Sequence, residues 1–249
     1  MKIAFFGTGD FSKNILADIY KKENIEIVCV VSQPDKPVGR KKILKPTPVH
    51  IFANENNIDL FQPKKLKEPI QNPPPNLPPI KGEGYLDDYL KSLDLDFIIV
   101  VAYGKIIPKS ILDIPKYGCM NIHGSILPAY RGASPIQASI RDGNTKTGLT
   151  IMYMSEGMDE GDILKTQEVE IGPDDTSIDI FQKFEEIGPD LLIQTLDGVI
   201  QGKIDGIHQD DPQATYCGKI SKEDGKIDFH TLSAKEIYAR ARAYTPWPG

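Results

Sequence analysis

The N-terminal part of the chain alternates strand and helix signals in the order that opens a parallel α/β sheet. Lys2 to Gly7 (KIAFFG) predicts a buried strand, Gly-Thr-Gly predicts a turn, and SKNILADIYKKEN has the pattern of a helix. Ile25 to Val31 (IEIVCVV) predicts a second strand, because β-branched residues dominate it. This order indicates a doubly wound α/β fold. The third glycine of the dinucleotide fingerprint is absent, which favours a tight strand-to-helix turn over an anion-binding helix N-terminus.

A row of polar side chains follows the central apolar strand predicted at Phe97 to Ala102 (FIIVVA). Asn121, His123 and Ser125 occupy alternate positions, and alternate residues of an extended segment point to the same face. We therefore expect an amide, an imidazole and a hydroxyl along one side, ended by a Leu-Pro turn. A reaction centre at the end of a strand has this composition. A purely structural histidine is the alternative.

The presence of a carboxylate, Asp159, favours the catalytic interpretation of His123 over the structural one. Asp159 lies in MSEGMDEGDIL, which follows an apolar strand predicted at Leu149 to Met154. Two glycines give this segment the backbone freedom of a loop. A carboxylate held by such a loop could orient His123. Arg131, just after the polar row, has two open interpretations, which are contact with a ligand and a structural role through packing or a carboxylate pair.

The segment from Gln33 to Val49 (QPDKPVGRKKILKPTPV) combines prolines with a cluster of cations. Its prolines and Gly39 exclude a continuous helix or strand, so we predict a loop. The cluster contains no acid, although the formal net charge of the chain is −6. Such a concentration of charge predicts a polyanionic partner, with a solvated loop that binds nothing as the alternative. The cations are Lys36, Arg40, Lys41, Lys42 and Lys45.

Composition excludes several classes of protein. No apolar stretch is long enough to span a bilayer, and we find no signal peptide. The three cysteines are scattered and form no CxxC pair, so we expect neither a disulfide framework nor a zinc site. These features predict a cytoplasmic protein without a membrane anchor. The acidic net charge argues against indiscriminate coating of nucleic acid.

The motifs described above occur together in one known family. NIHGSILPAYRGASPIQASI resembles the N-x-H-x-S-L-L-P segment, with its following Arg-Gly and helix, of the formyltransferases that use 10-formyltetrahydrofolate; Ile126 replaces the first leucine. MSEGMDEGDIL is similar to the acidic loop of that family. The cationic segment resembles the basic loop with which the tRNA-modifying members hold the acceptor end. The resemblance extends from Lys2 to Trp247, except at the proline-rich segment Pro69 to Gly84, which predicts a surface insertion.

The resemblance implies a Rossmann-like formyltransferase catalytic domain with a mostly parallel sheet over residues 1–203. Residues 204–249 are then expected to form a linker and the incomplete beginning of a C-terminal β-barrel domain. The implied activity is transfer of a formyl group from 10-formyltetrahydrofolate to the α-amino group of initiator methionyl-tRNA, which supports translation initiation. Two alternatives remain open, which are formylation of a nucleotide-linked amino sugar and a non-catalytic folate- or nucleotide-binding module.

The resemblance also assigns roles to individual residues. It implies catalysis by Asn121, His123 and Asp159 in a monomer that uses no metal. It implies that five cations bind tRNA, namely Lys36, Arg40, Lys41, Lys42 and Lys45. It implies folate contacts at Ser125, Ile126, Leu127, Pro128, Val101 and Tyr103.

Overall fold

The computed structural model describes residues 1–38, 43–67 and 85–249. The chain divides into two compact units. The first comprises Met1–Asn121 and Tyr153–Glu156, and the second comprises Ile122–Met152 and Gly157–Gly249. In the described ranges no helix is both long and apolar enough to cross a membrane.

The first unit is built on a parallel sheet. Its elements in chain order are β1 (Lys2–Gly7), α1 (Asp10–Tyr20), β2 (Glu26–Val31), β3 (Lys36–Val38), β4 (Ile43–Lys45), α2 (Pro48–Glu55), β5 (Leu60–Phe61), α3 (Leu86–Ser92), β6 (Phe97–Val101), α4 (Lys109–Leu112) and β7 (Cys119–His123), whose last two residues belong to the second unit. Five strands pair in parallel in the order β5-β2-β1-β6-β7. The predicted mostly parallel α/β sheet is therefore confirmed.

The composition of β1 and β6 explains their central position. Every residue of β6 is buried, and so is every residue of β1 except Lys2, as expected of strands covered on both faces. A Cβ at Gly7 would lie 2.7 Å from the Cβ of Ser12 on α1, so this position requires glycine for close packing of strand and helix. The Ser12 hydroxyl donates to the carbonyl of Val101 at 2.5 Å. These contacts agree with a tight strand-to-helix turn at the first glycines.

The segment predicted as a loop after β2 contains two short strands. β3 and β4 pair antiparallel, with Lys36 opposite Lys45. The prediction of a loop was wrong here, because prolines exclude long strands but tolerate three-residue strands at an edge. Asp35, directly before β3, accepts hydrogen bonds from His50 at 2.9 Å and from Gln62 at 2.6 Å. The predicted proline-rich insertion from Pro69 to Gly84 lies outside the described residues.

The second unit contains β8 (Arg131–Gly132), α5 (Pro135–Arg141), β9 (Lys146–Tyr153, whose last residue belongs to the first unit), β10 (Ile163–Glu170), α6 (Ser177–Ile200), β11 (Tyr216–Cys217) and α7 (Ala234–Ala243). β9 and β10 form an antiparallel pair, and β8 pairs in parallel with β11. Thr176 and Asp179 form a capping box at the start of α6, which continues without a break through Pro189. The pairing of β8 with β11 brings a late segment of the chain beside the polar row, and this determines the geometry of the site.

Candidate active site

His123 is the last residue of β7 and has only 4% of its surface exposed. Its Nε2 lies 2.9 Å from the carbonyl oxygen of Tyr130. A carbonyl can only accept a hydrogen bond, so Nε2 carries the proton in this contact. Tyr130 presents that carbonyl from a left-handed backbone conformation, with φ of +59°. The imidazole is therefore held through Nε2, and Nδ1 is the nitrogen that faces the candidate carboxylate.

Asp159 lies beside Nδ1 of His123. The distance from Nδ1 to Oδ2 is 3.6 Å, which is within the range of an ion pair but longer than a hydrogen bond. Oδ2 also accepts a hydrogen bond of 2.8 Å from the amide of Gly132 on β8. The backbone of Asp159 is left-handed, with φ of +52°, as the glycine-containing loop favours. The structure thus brings together the two residues that the sequence predicted as a pair.

One buried polar residue that the sequence did not predict, Gln209, contacts Asp159 and links it to Arg131. Gln209 is 3% exposed and donates to the carbonyls of Asp159 and Gly161, while its side-chain oxygen accepts from Arg131. Burial disfavours the charge of Arg131, but the hydrogen bonds that its guanidinium donates to Asp211 and Tyr216 hold its pKa above the ordinary value. Of the two interpretations of Arg131, the structure favours structural pairing. Gln209 lies in a segment without a recognisable pattern, so only the structure could identify it.

Ser125 does not continue the strand as predicted. β7 ends at His123, and Ser125 lies in the following turn, where its hydroxyl donates to the carbonyl of Ala129 at 2.6 Å. The expectation of one continuous face was wrong, because the chain leaves the extended conformation at Gly124. Thr150 fixes the same turn by donating to the Ser125 carbonyl at 2.7 Å. Ser125 and Leu127 are buried, whereas Ile126 and Pro128 are partly exposed.

Three further predicted residues lie in the first unit. Asn121 is half-buried on β7 and pairs with Val100 of β6. Val101 is buried, and its carbonyl accepts from Ser12. Tyr103 is 1% exposed, and its hydroxyl has no hydrogen-bond partner among the residues that the structure describes. Burial raises the pKa of the Tyr103 phenol, which is therefore a neutral donor at physiological pH.

The predicted cationic cluster is only partly described. Lys36 and Lys45 face each other across the β3–β4 pair, and both are exposed. Arg40, Lys41 and Lys42 lie outside the described residues. Within the described ranges, no three His, Cys, Asp or Glu side chains are arranged to hold a metal ion.

A parallel α/β fold with a buried histidine at the end of a strand, paired with an aspartate, defines a candidate enzyme, and comparison with known proteins identifies its family. A model of the formyl transferase family matches residues 1–196, and a model of the formyl transferase C-terminal domain matches residues 219–249. The chain therefore belongs to the formyltransferase family. The family predicted from the two sequence motifs is confirmed.

Curated relatives align with the whole chain. A methionyl-tRNA formyltransferase of Caldicellulosiruptor saccharolyticus is 46% identical over 249 residues, which cover 100% of this chain and 75% of the relative. The methionyl-tRNA formyltransferase of Bacillus cereus is 42% identical, with 100% of this chain and 74% of the relative covered. The chain thus spans about three quarters of the length of these relatives.

Solved structures share the fold at lower identity. A 4-N formyltransferase from Francisella tularensis has a TM-score of 0.70 and 21% identity, covering 100% of this chain and 89% of that chain. A sugar 3N-formyl transferase, WlaRD, solved in the presence of dTDP and 5-N-formyl-THF, has a TM-score of 0.68 and 20% identity, covering 98% and 78%. Phosphoribosylglycinamide formyltransferase from Bacillus halodurans has a TM-score of 0.60 and 24% identity, covering 80% and 95%.

Proposed function

We propose that this protein transfers a formyl group from 10-formyltetrahydrofolate to the α-amino group of initiator methionyl-tRNA. The observation that carries the proposal is the pairing of His123 with Asp159, with Nδ1 and Oδ2 3.6 Å apart. The identity of 42–46% over the whole chain to two methionyl-tRNA formyltransferases supports this acceptor. The sugar 3N-formyl transferase WlaRD, which has a similar fold, is much less similar in sequence, with 20% identity.

Formyl transfer requires an oxyanion to be stabilised and a proton to be removed. The amine attacks the formyl carbon, a tetrahedral adduct forms, and the bond from that carbon to the folate nitrogen breaks as this nitrogen takes up a proton, which balances the proton that the amine loses. Because Nε2 of His123 donates to the carbonyl of Tyr130, we assign Nδ1 to the contact with the adduct oxygen, a role in which both ring nitrogens carry a proton. A preorganised donor at such an oxyanion contributes about 3 to 4 kcal/mol. We assign the same kind of donor role to the amide of Asn121, on the basis of the family motif.

Asp159 is assigned the proton that the attacking amine loses. Its carboxylate has a fixed position, because Oδ2 accepts from the amide of Gly132 at 2.8 Å. Oδ2 of Asp159 and Nδ1 of His123 are 3.6 Å apart, so no direct hydrogen bond between them occupies Oδ2. Oδ2 can therefore receive the proton directly or through a water molecule. The carboxylate also supports positive charge on the imidazole while the adduct exists.

The substrate contacts outside this pair are proposals from the family motifs. We propose that the folate lies against the turn Ser125, Ile126, Leu127 and Pro128 and against Val101 and Tyr103. The Tyr103 hydroxyl has no hydrogen-bond partner within the described part of the chain, which supports a polar contact there. We propose that Lys36, Arg40, Lys41, Lys42 and Lys45 contact phosphates of the acceptor end, and the exposure of Lys36 and Lys45 supports this role.

Domain organisation, oligomeric state and location are also proposals. We propose a catalytic domain over residues 1–203 and a linker with the beginning of a further domain over residues 204–249. The separate family-model matches at 1–196 and 219–249 support this division. We further propose that the protein acts in the cytoplasm as a monomer, where it would support translation initiation.

The test compares formyl transfer by the wild-type chain, His123→Ala and His230→Ala. The assay uses 10-formyltetrahydrofolate and initiator methionyl-tRNA at low salt. We expect turnover to fall about 100- to 1,000-fold in His123→Ala, as when an oxyanion donor is removed. His230 is exposed in the C-terminal part of the chain and serves as the matched control. Transfer to a nucleotide-linked amino sugar but not to methionyl-tRNA would overturn the assigned acceptor.

A further inference from the structure

The segment between the two family-model matches, residues 197–218, contacts the loop of Asp159 directly and reaches His123 through Tyr130. Gln209 lies in this segment and makes four hydrogen bonds. Its Nε2 donates to the carbonyls of Asp159 at 2.9 Å and Gly161 at 2.6 Å. Its Oε1 accepts from Nε and Nη2 of Arg131 at 3.0 and 2.8 Å. Both donor hydrogens and both lone pairs of the amide are thus used at a buried position.

These bonds connect the loop of Asp159 to β8 at two points. Gln209 links the main chain of Asp159 to Arg131, and the amide of Gly132 holds the carboxylate of Asp159. Arg131 is only 2% exposed and is itself fixed by Asp211 at 2.6 Å. The carboxylate therefore has little freedom to move unless Gln209 also moves.

A second contact from the same segment reaches His123 through Tyr130. The hydroxyl of Thr215 accepts from the amide of Tyr130 at 2.8 Å, and the carbonyl of Thr215 accepts from the amide of Arg131 at 2.8 Å. These bonds hold the left-handed backbone that directs the Tyr130 carbonyl at Nε2 of His123. The orientation of the imidazole thus depends on a residue 92 positions later in the chain.

We propose that Gln209 and Thr215, here called the linker clamp, are positioning residues for formyl transfer. Gln209 fixes the loop of Asp159, and Thr215 fixes the carbonyl that orients His123. Neither contacts reacting atoms, and the inference rests on the function proposed above. The clamp matters because a misplacement of about 1 Å in a catalytic pair can reduce turnover about 100-fold.

Gln209→Glu tests the first contact of the clamp. The substitution preserves size and the pairing with Arg131, but replaces the two donors to Asp159 and Gly161 with an acceptor. We expect kcat to fall about 10- to 100-fold while both KM values stay within about twofold of wild type. Gln182→Glu makes the same chemical change on the exposed surface of α6 and should preserve wild-type turnover. A kcat of Gln209→Glu equal to that of Gln182→Glu would overturn the proposal.

A double substitution separates positioning from general damage. If Gln209 acts through Asp159, adding Gln209→Glu to Asp159→Asn should reduce the remaining turnover by less than about twofold, because coupled residues are not additive. If the double variant instead loses a further factor of about 10 to 100 in kcat relative to Asp159→Asn, as expected for Gln209→Glu alone, Gln209 acts independently of Asp159. That result would overturn the proposal.

Thr215→Val is the second variant if Gln209→Glu does not fold. The Thr215 side chain is exposed, so its replacement leaves the core intact. Loss of its hydrogen bond to Tyr130 should lower kcat about fivefold, without an equal rise in KM. An unchanged kcat would contradict the second contact of the clamp.

Amide hydrogen exchange tests the linker clamp without depending on which substrate accepts the formyl group. The Gly132 amide donates to Asp159, so its exchange should accelerate at least about tenfold in Gln209→Glu if about 1.4 kcal/mol of local protection is lost. The same amide should be unchanged in Gln182→Glu. If the Gly132 amide exchanges faster in Gln209→Glu, but the wild-type protein does not formylate methionyl-tRNA, the proposed function is rejected and the clamp is retained. Unchanged exchange would reject the clamp even if wild-type transfer is rapid.

Discussion

Replacing Gly132 with alanine should force β8 away from β11. A Cβ at this position would lie 3.2 Å from the carbonyl carbon of Cys217 and closer still to its oxygen. That carbonyl accepts a hydrogen bond from Ala133, so it is fixed by the strand pair. The backbone of Gly132 has φ of +121°, which side chains rarely adopt. The substitution therefore combines a clash with main-chain atoms and backbone strain.

The size of the effect follows from the movement required. Non-bonded carbon atoms pack without repulsion at about 3.5 to 4 Å, and the carbonyl oxygen of Cys217 would lie well inside this distance, so the strands must separate by about 1 Å to accept the new methyl group. The amide of Gly132 would move with β8 and lose its contact with Asp159, now 2.8 Å. We expect kcat to fall about 100-fold, as for other 1 Å displacements in catalytic sites. Backbone strain should lower the free energy of unfolding by about 1 to 3 kcal/mol.

Gly143→Ala is the matched control, because it separates strain from displacement. Gly143 also has a positive φ, of +75°, but a Cβ there would meet no atom within 4 Å. Both variants should lose stability in urea unfolding, whereas only Gly132→Ala should lose turnover with methionyl-tRNA. Wild-type kcat in Gly132→Ala would refute the assignment of Asp159 and its support from β8. An equal loss of kcat in the two variants would attribute the effect to stability alone.

Two further predictions concern the first unit. Replacing both Lys36 and Lys45 with alanine should raise the KM for methionyl-tRNA and reduce the slope of log affinity against log salt by up to about 2. As a control, replacing the exposed Lys21 and Lys91 with alanine should change neither quantity. An unchanged slope in the first variant would contradict the proposed role of the β3–β4 pair in tRNA binding. Although burial opposes it, hydrogen bonds from His50 and Gln62 hold the pKa of Asp35 below its usual range. The contribution of the Asp35 carboxylate to stability is therefore present at neutral pH and is lost as the pH falls below about 4. In urea unfolding, Asp35→Asn should lower the free energy of unfolding by about 1.5 to 3 kcal/mol at pH 7 and by much less at pH 3. An equal loss at both pH values would contradict the lowered pKa.

The sequence predicted the parallel sheet because its central strands are buried on both faces. Such strands are continuous apolar runs, as in Phe97–Val101, and can be recognised without knowledge of the neighbouring strands. The pairing of His123 with Asp159 was predictable for a similar reason, because each residue lies in a short motif after an apolar strand. The strand pair β3–β4 was missed because three residues are too few to show periodicity.

The support around the catalytic pair was not predictable from local patterns. Gln209 lies 50 positions from Asp159, and nothing in its neighbourhood distinguishes it from an exposed glutamine. Ser125 was placed on the strand because alternation continues in the sequence, but the backbone turns after His123. Both errors concern tertiary contacts and backbone conformation, which residue types specify only weakly.

The hydrogen bond from His123 to the carbonyl of Tyr130 has a consequence for mutagenesis. Every amino acid supplies a main-chain carbonyl, so alanine scanning at position 130 would remove the ring and leave the acceptor oxygen in place. Such a scan would therefore report only on the side chain of Tyr130, whose hydroxyl contacts Asp142 and Asn144. It would give no information about the carbonyl oxygen that orients the His123 imidazole. Changes to the backbone itself, such as an ester in place of the peptide bond after Tyr130, reach this oxygen, but they also remove the Arg131 amide that donates to Thr215, so the contribution of the carbonyl has to be separated from the loss of that bond.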